Sequence, residues 1–436
     1  MFKKVSALIT IAMLACATAG CTAVSTGGND TKSGSSEAII IETSSSESRS
    51  ETSTVVTEID TSSSAGTSES SSSETSSSAQ NTGSTETTDS SGLFTDRDLA
   101  QSADLSEAVY YTAADNTTET ITAAGVYVVS GTAENYTIIV ETDDEAKVQI
   151  VLDSLNVTND DTPVIYVKNA DKVFVTTAEG TSSTLSVTDT FTADGDTSTD
   201  AVIFSKDDLV LNGLGTLTIE STDNGISCKD DLKITGGTIS ISCPSDAIEV
   251  NDSILMYDGN ITIQQAEDGL HAENDEDDTV GSIQILGGTL NISVSDDAIH
   301  AITTIQIDGG TLNLDGAEGI EATQVEINAG TINITASDDG INAGQKSDSM
   351  NISIVINGGE ISIDMAQGDT DGIDSNGDLT INGGTISINA QSPFDCDGAA
   401  TYNGGTIIVN GVETNQITTQ MMGGGMGGGF GGRGGR

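Results

Sequence analysis

Short runs of alternating apolar and polar residues begin near residue 93 and continue through most of the chain. Examples are GVYVVSG at 125–131, YTIIVE at 136–141 and KVFVTT at 172–177. Val, Ile, Tyr and Thr that alternate with polar residues are typical of strands with one buried face. No stretch of helical period follows, so the sequence predicts an all-β fold.

Gly-Thr phrases divide the second half of the chain into repeats. They occur at Gly215, Gly237, Gly288, Gly310, Gly330, Gly384 and Gly405. The usual step between them is about 20 to 22 residues, with a few longer steps of about 25 to 29. A period of this size indicates one supersecondary unit that is stacked on copies of itself.

Each repeat is interpreted as three short strands, represented by TISI at 238–241, IHA at 299–301 and IQI at 305–307. Three short strands per coil of about 21 residues predict a right-handed parallel β-helix, in which equivalent positions form columns. The phrases IFSKDDLVL and ISCKDDLKI superpose without gaps, so the coil is expected to begin well before Gly215. We assign residues 93–415 to this domain.

The N-terminus is typical of an exported lipoprotein. Lys3 and Lys4 precede an apolar run that closes as TAGC on Cys21, which predicts a lipoprotein signal peptide at 1–20 and lipidation of Cys21. An ordinary A-x-A cleavage site at 17–19 is the alternative. Both interpretations predict export. The lipoprotein signal predicts an extracellular protein at the cell surface, held to the membrane by its lipid alone.

Two segments of biased composition flank the predicted β-helix. Residues 21–92 are largely Ser, Thr, Glu and Gly, with too little apolar surface to offset chain entropy. We expect a disordered linker there, which spaces the domain from the membrane. Residues 416–436 end in MMGGGMGGGFGGRGGR and are expected to form a flexible Gly-rich tail.

The charge balance limits the possible partners. Asp and Glu number 67 against 14 Lys and Arg, which gives a formal net charge of -53. Such a polyanion excludes non-specific nucleic-acid binding, because phosphates would be repelled. An acidic polysaccharide would need a bridging cation. Cys228, Cys243 and Cys396 match no zinc spacing and are expected to pack as small apolar residues.

Carboxylates recur at the turn before the second strand of each repeat. In adjacent coils they would lie about 4.8 Å apart, where they repel one another unless solvent or cations screen them. Ca²⁺ takes about six to eight oxygen ligands, so we predict at least one calcium ion, with solvated turn acids as the alternative. The candidate ligands are Asp268, Asp296, Asp297, Asp338, Asp339, Asp369, Asp371, Asp374, Asn376 and Asp378.

The outward-facing position of the second strand forms a column of mixed chemistry. His271 and His300, the two histidines of the chain, stand there on neighbouring repeats. They could ligate a metal, exchange protons or belong to an exposed polar stripe. A short column of lysines beside them could offer a cation to an acidic sugar. The candidate carbohydrate-binding residues are Tyr166, Phe204, Lys168, Lys206, Lys229, His271 and His300.

Thr and Asn repeat on the outer face of the first strand. The pairs are Thr289 and Asn291, Thr311 and Asn313, and Thr331 and Asn333. A regular lattice of hydroxyls and amides could match a regular polymer, or it could only solubilise the sheet. Thr ladders also occur on ice-binding β-helices, so a structural adhesin or ice-binding surface protein is a third hypothesis.

Several long phrases carry a resemblance to a known family. They are GVYVVSGTAENYTIIVE, KVQIVLDSLNVTNDDTPVIYVKNADKVFVTTAEGT, AVIFSKDDLVLNGLGTLTI and NGISCKDDLKITGGTISI, followed by the D-[GA]-I repeats. Over about 105 to 411 the sequence resembles bacterial exported, calcium-binding, carbohydrate-binding domain-containing proteins. The resemblance implies a pectate-lyase-like parallel β-helix, bound Ca²⁺, and binding of cellulose and polygalacturonate. It implies no particular sugar-contacting residues.

Non-catalytic binding is expected rather than polysaccharide cleavage. Lyases of this fold use Arg or Lys as a base beside Ca²⁺. Between Asn212 and Gly411 there is no Arg, and the lysines are Lys229, Lys233 and Lys346. We therefore expect a monomeric binder of cell-wall polysaccharide, with a pectate lyase-like enzyme as the alternative.

Overall fold

The protein is described here from a computed structural model, which describes residues 92–368 and 370–418. The predicted signal peptide, Cys21, the linker up to residue 91, Asp369 and residues 419–436 of the tail lie outside the described residues. The predictions made for them stay predictions. The described part of the chain contains no helix that is long and apolar enough to cross a membrane.

The described residues form strands and turns, without an α-helix. The first strands are β1 Val109–Thr112, β2 Thr117–Ile121, β3 Gly125–Glu134, β4 Tyr136–Glu141, β5 Lys147–Asn159, β6 Ile165–Asn169, β7 Lys172–Thr177, β8 Ser182–Val187, β9 Ala201–Ser205, β10 Asp208–Gly213, β11 Thr216–Glu220 and β12 Asn224–Cys228. The next are β13 Asp231–Ile234, β14 Thr238–Ser242, β15 Ile248–Val250, β16 Ser253–Met256, β17 Asn260–Ala266, β18 Leu270–Ala272, β19 Ser282–Ile285, β20 Thr289–Val294, β21 Ile299–Ile307, β22 Thr311–Gly316 and β23 Ile320–Ile327. The last are β24 Thr331–Ala336, β25 Asp339–Ala343, β26 Ser353–Ile356, β27 Glu360–Met365, β28 Asp371–Ser375, β29 Asp378–Ile381, β30 Thr385–Asn389, β31 Ser392–Cys396, β32 Ala400–Tyr402, β33 Thr406–Val409 and β34 Val412–Thr414.

Strand pairs along the chain are parallel until the closing hairpin of β33 and β34, which is antiparallel. In the middle of the chain each strand pairs with the third strand that follows it, as β11 does with β14, β12 with β15 and β13 with β16. Strand β21 is longer and pairs with both β18 and β19. The prediction of an all-β fold with parallel, stacked repeats is confirmed.

A column of small side chains runs through the interior. The paired residues are Val167, Ser205, Cys228, Val250, Ala272, Ala301, Ala322 and Ala343. Every member is fully buried. Cys228 is a free thiol within this column, as expected from the sequence. The column therefore lies in the position that the repeat predicts.

The core is continuous along the stacked repeats. Strand β14 shows why: Ile239 and Ile241 point inward and are buried, while Thr238 and Ser240 face outward. Burial of one such aliphatic side chain contributes about 1.5–3 kcal/mol. Because β14 is paired on both sides, with β11 and with β17, each added repeat covers the apolar side chains of the previous one.

Asparagine side chains form a ladder at the turn that precedes the Gly-Gly phrase. Asn328 Nδ2 donates to Asp308 Oδ1 at 2.8 Å, and Asn357 Nδ2 donates to Asn328 Oδ1 at 2.7 Å. The same contact joins Asn382 to Asn357 and Asn403 to Asn382. Each amide therefore links its repeat to the preceding one at a turn that the strand pairs do not cover.

The residues before the first strand pack across several later repeats. Asp98 is fully buried, and its carboxylate lies 3.9 Å from Lys172 Nζ and 3.3 Å from Lys233 Nζ. Gln101 Nε2 donates to the carbonyl oxygen of Thr235 at 2.9 Å, and Phe94 packs edge-on against Tyr257. Residues 94–101, here called the N-terminal strap, thus join repeats that are distant in sequence.

Candidate functional site

The outward column of the second strand is continuous in the structure. In order, the paired residues are Tyr166, Phe204, Ser227, Glu249, His271, His300, Glu321, Asn342 and Asp374. His271 and His300 are neighbours in it, as the repeat predicts. The type of side chain changes along the column, from aromatic residues at one end to polar and acidic residues at the other.

The aromatic end of the column is not at the surface, contrary to its expected exposure. Tyr166 is 4% and Phe204 is 1% exposed, and the two rings meet edge-on. The segment 188–200 packs against them, and the Tyr166 hydroxyl donates to Asp194 Oδ2 at 3.3 Å. A sugar could reach these rings only if that segment moved, so their position does not support them as sugar contacts.

The three lysines stack as predicted but are engaged by neighbouring groups. Lys168 Nζ lies 2.5 Å from Asp194 Oδ2, and Lys229 Nζ lies 3.1 Å from Glu249 Oε1. Lys206 Nζ donates to Thr197 Oγ1 at 2.8 Å. Two of the three charges are thus balanced by carboxylates, which weakens this column as a direct cation site for an acidic sugar.

The acids at the turn before the second strand, here called the turn column, bind backbone N–H groups of the next repeat. The sequence did not indicate this structural role. Asp246 Oδ1 accepts the backbone N–H of Asp268 at 3.3 Å, and Asp268 Oδ1 accepts that of Asp297 at 2.8 Å. Asp339 Oδ1 accepts the backbone N–H of Asp371 at 3.0 Å. One oxygen of each carboxylate therefore joins successive repeats. The second oxygen of Asp246, Asp268 and Asp297 contacts a histidine.

His271 is held by acids from its own and the preceding repeat. Its Nδ1 lies 2.9 Å from Asp246 Oδ2 and 3.2 Å from Asp268 Oδ2, while its Nε2 lies 3.1 Å from Glu273 Oε2. Burial disfavours the charged ring, but the hydrogen bonds to Asp246 and Asp268 outweigh it and raise the pKa of His271 to about 11. The imidazole is therefore a cation at neutral pH.

His300 repeats this arrangement one repeat further along. Its Nδ1 lies 2.9 Å from Asp297 Oδ2 and 3.2 Å from Glu321 Oε2. The ring centroids of His271 and His300 are 4.8 Å apart. Burial again opposes the charge, but the bonds to Asp297 and Glu321 raise the pKa of His300 to about 9. Two cationic rings, inclined at 42° to one another, thus lie side by side among carboxylates.

Beyond His300 the acids outnumber the nearby cations. Burial acts against the charge of Glu321, but contacts from His300 and from Lys346 Nζ at 2.6 Å lower the pKa of its carboxyl. Glu318 forms no ion pair within the described residues, and burial together with the charges of Glu321 and Asp297 raises its pKa to about 9, against a hydrogen bond from Asn342. Asp297, Glu318 and Glu321 can place one oxygen each within 4.8 Å of one another.

Two oxygens beside this acidic group lack a hydrogen-bond donor. Glu318 Oε2 and Asn342 Oδ1 are buried and have no hydrogen-bond partner within the described residues. A buried, unpaired polar oxygen is costly. Carboxylate and amide oxygens are the ligands that Ca²⁺ prefers, so this donor set fits a calcium ion.

The C-terminal acids predicted as calcium ligands form a looser arrangement. Asp339 pairs with Asp371 and Asn342 with Asp374 in register, while Asp378 Oδ1 accepts the N–H of Ala399 at 2.8 Å. Burial and the nearby Asp374 raise the pKa of Asp339 to about 7. Asn376 Nδ2 donates to Asp374 Oδ2 at 3.3 Å. These residues stay candidate ligands, together with the exposed Asp296 and Asp338.

Five groups of three metal-ligating side chains lie close together in the described residues. They are His271, Glu273 and His300; Asp246, Asp268 and His271; Asp268, Asp297 and His300; Asp208, Asp230 and Asp231; and Asp297, Glu318 and Glu321. Of the predicted ligands, Asp268 and Asp297 belong to these groups. The sequence did not indicate Glu318 or Glu321 as ligands, although the former shares the turn position and the latter the outward position of the repeat.

The first-strand face presents the Thr and Asn lattice on successive repeats. Thr289, Thr311 and Thr331 are paired in register, as are Asn291, Asn313 and Asn333. The Asn side chains are linked, with Asn313 Nδ2 donating to Asn291 Oδ1 at 2.8 Å and Asn333 Nδ2 to Asn313 Oδ1 at 2.9 Å. The face is polar and largely exposed.

A shallow depression of about 350 Å³ lies on this face and crosses four repeats. Its polar lining comes from Thr262, Gln264, Asn291, Ser293, Asn313, Asp315, Asn333 and Thr335. A chain laid across the strands would meet an amide or hydroxyl at each step of about 4.8 Å. We refer to this surface as the polar lattice.

Comparison with known proteins gives the family. The family model described as carbohydrate-binding domain-containing protein matches residues 115–372 and 322–416. A curated carbohydrate-binding domain-containing protein of Acetivibrio thermocellus is 37% identical over 123 residues, which is 28% of this chain and 43% of that protein. The match thus spans less than half of the relative.

A solved structure is also similar. It is the polysaccharide lyase-like protein from C. thermocellum, a gadolinium derivative, with a TM-score of 0.46 and 31% sequence identity over 52% of this chain and 96% of that chain. The family model covers more than half of the 436 residues. The chain therefore belongs to the family of carbohydrate-binding domain-containing proteins.

Proposed function

We propose that this protein binds a plant cell-wall type polysaccharide at the bacterial cell surface, without cleaving it, and that Ca²⁺ takes part in the binding. The polymers proposed are polygalacturonate and cellulose. The observation that carries the proposal is the polar lattice, which offers the same side-chain groups on successive repeats. A polymer is periodic, so a periodic surface can contact many of its units at once.

The proposed fold is a right-handed parallel β-helix with three strands in each coil. Pairing of each strand with the third one that follows supports it. In such a coil the polar lattice lies on the first strand of each repeat, and the outward column that holds His271 and His300 lies on the second strand. The proposed location, lipid-anchored outside the cell, is supported by the N-terminal sequence.

Calcium is proposed at Asp297, Glu318, Glu321 and Asn342. Three carboxylates converge there, and two buried oxygens have no donor among the described residues. When bound, Ca²⁺ supplies positive charge that the chain lacks, since its formal net charge is -53. A uronate polymer would otherwise be repelled.

We propose that the protein does not cleave the polymer, because the lysines that could act as the base of a lyase form ion pairs with carboxylates. Lys229 is paired with Glu249, Lys233 with Asp98, and Lys346 with Glu321. A lysine in such an ion pair keeps its proton and is a poor general base. These are the three lysines between Asn212 and Gly411, where the sequence has no arginine.

Retention of the full-length chain on polygalacturonate and on cellulose tests the proposal. The double variant Asn313→Glu with Asn333→Glu places two charges on the polar lattice, and Thr118→Glu with Thr120→Glu is the matched control on the exposed face of β2. We expect the lattice variant to bind polygalacturonate at least about tenfold more weakly and the control to bind as the natural chain does.

Repeating the binding measurement with chelator and with added Ca²⁺ tests the calcium role separately from polysaccharide binding. Binding that is lost with chelator and restored by Ca²⁺ supports the calcium role. Unsaturated products in the ultraviolet would show a lyase instead. Retention on neither polymer, with altered ice growth, would favour the ice-binding hypothesis and contradict polysaccharide binding.

A further inference from the structure

The two histidines are oriented in the same way by carboxylates. In each ring Nδ1 faces an aspartate oxygen at 2.9 Å, Asp246 for His271 and Asp297 for His300. A carboxylate that accepts the Nδ1 proton fixes the ring and leaves Nε2 as the atom that can ligate a metal. This pairing of carboxylate and histidine is the usual support of histidine ligands in metal sites.

A third ligand lies beside the two rings. Glu273 Oε2 is 3.1 Å from His271 Nε2, and His271, Glu273 and His300 can bring one ligand atom each within 4.8 Å of one another. Two donors bound at about 2.0–2.1 Å to a tetrahedral ion lie roughly 3.3 Å apart. The observed separation of His271 and Glu273 therefore matches one edge of such a site.

The group opens onto solvent on one side. A depression of about 400 Å³ is lined by His271 and Glu273 together with Lys229, Glu249, Asn274 and Glu276. Three protein ligands, two of which line an accessible space, leave a coordination position for water or for an external oxygen ligand. Two imidazole nitrogens favour Zn²⁺, Co²⁺ or Ni²⁺ over Ca²⁺, which takes oxygen ligands.

We propose that His271, His300 and Glu273 bind a divalent transition-metal ion of the zinc class, with an open position toward this depression. The proposed site shares no ligand with the calcium site, although Asp297, a proposed calcium ligand, also orients His300. It does not require that a polysaccharide binds. Asp246 and Asp297 are positioning residues that hold the imidazoles. Because a histidine ligates a metal through an unprotonated nitrogen, binding weakens as the pH falls.

Titration of the full-length chain with Co²⁺ and Zn²⁺ tests the site. The measurements are visible absorption for Co²⁺ and calorimetry for Zn²⁺, at about pH 8 with excess Ca²⁺ to fill oxygen-only sites. We expect about one ion per chain, with Co²⁺ bands typical of nitrogen ligation. The variants His271→Gln, His300→Gln and Glu273→Gln should each weaken binding at least about tenfold.

Two controls keep the test decisive. Glu273 is exposed, so its variant is expected to fold normally even if a histidine variant does not. Asp278→Asn changes an exposed carboxylate of the same segment that does not line the depression and should leave binding unchanged. Binding that excess Ca²⁺ abolishes, or that Glu273→Gln and both histidine variants leave intact, would overturn the proposal.

Discussion

Lys233 Nζ lies 3.3 Å from Asp98 Oδ2, although 135 residues separate the two in sequence. The carboxylate is fully buried and also faces Lys172 Nζ at 3.9 Å. This contact holds the N-terminal strap across several repeats. The strand pairs, in contrast, connect each repeat only to its immediate neighbours. Residues before the first strand are therefore part of the folded domain.

Loss of the Asp98 charge should destabilise the protein markedly. Asp98→Asn leaves the largely buried Lys233 without its carboxylate partner, while Lys172 keeps its ion pair with Asp208 at 3.1 Å. Loss of one partner from a buried pair costs about 3–5 kcal/mol. Denaturant unfolding of the full chain measures it. Glu107→Gln, at an exposed acid of the same region, should change the free energy of unfolding by less than about 0.5 kcal/mol. Equal stability of both variants would refute a structural role for the strap.

The second glycine of a Gly-Gly phrase should not tolerate a side chain. Gly288 has φ +86° and a Cβ there would lie 2.7 Å from the carbonyl oxygen of Gly259 in the previous repeat. Gly411 has a similar φ of +78° but open space around it. We expect Gly411→Ala to cost about 1 kcal/mol from backbone strain alone, and Gly288→Ala clearly more. Thermal unfolding compares them, and similar losses would argue against close stacking at this turn.

Asp230 should make stability fall as the pH rises. Burial and the charges of Asp208, Asp231 and Asp252 raise its pKa from 3.8 to about 6. Between these values the folded state binds more protons than the unfolded state, so this contribution to stability decreases as pH rises through that window. Asp230→Asn removes the penalty and should stabilise the protein at pH 7 by on the order of 1 kcal/mol.

The comparison of Asp230→Asn with the natural chain is made in chelator, so that bound cations do not mask the repulsion. The gain should shrink toward zero near pH 4. Asp153→Asn, at an exposed acid, is the control and should show little effect at either pH. A gain that does not depend on pH would contradict the electrostatic cause.

Glu318→Gln should separate calcium binding from folding. The side chain keeps its size but loses the charge and one oxygen ligand. Without Ca²⁺ we expect little loss of stability, because burial and neighbouring acids already favour the neutral form of Glu318. The rise in melting temperature on adding Ca²⁺ should shrink strongly, whereas Glu267→Gln, at an exposed acid, should keep it. If Ca²⁺ raises the melting temperature of Glu318→Gln as much as that of the natural chain, calcium binds at another site.

Columns could be predicted from sequence because they depend only on the repeat. Once the step between Ile299 and Ile320 is known, His300 and Glu321 must be neighbours if the strands stack in parallel, and they are paired in register. The inward column from Val167 to Ala343 follows the same repeat. Period and face are local properties that the alternation of residues encodes.

Contacts that segments outside the repeating strands make with the columns could not be predicted in this way. The burial of Tyr166 and Phe204 depends on how the segment 188–200 folds back, and that segment has no counterpart in other repeats. The ion pair of Lys346 with Glu321 likewise involves a residue after β25, outside the strands. Irregular segments have no period, so their partners appear only in three dimensions.

The central claim is that a polysaccharide chain lies across successive repeats on the polar lattice. Calorimetry with oligogalacturonates of increasing length, in Ca²⁺, tests it most directly. Affinity should rise with length until the sugar spans the four repeats that line the depression, roughly 15 Å, and the rise should vanish in the Asn313→Glu with Asn333→Glu variant. An affinity that is independent of length, or a length dependence that survives in the variant, would contradict the account.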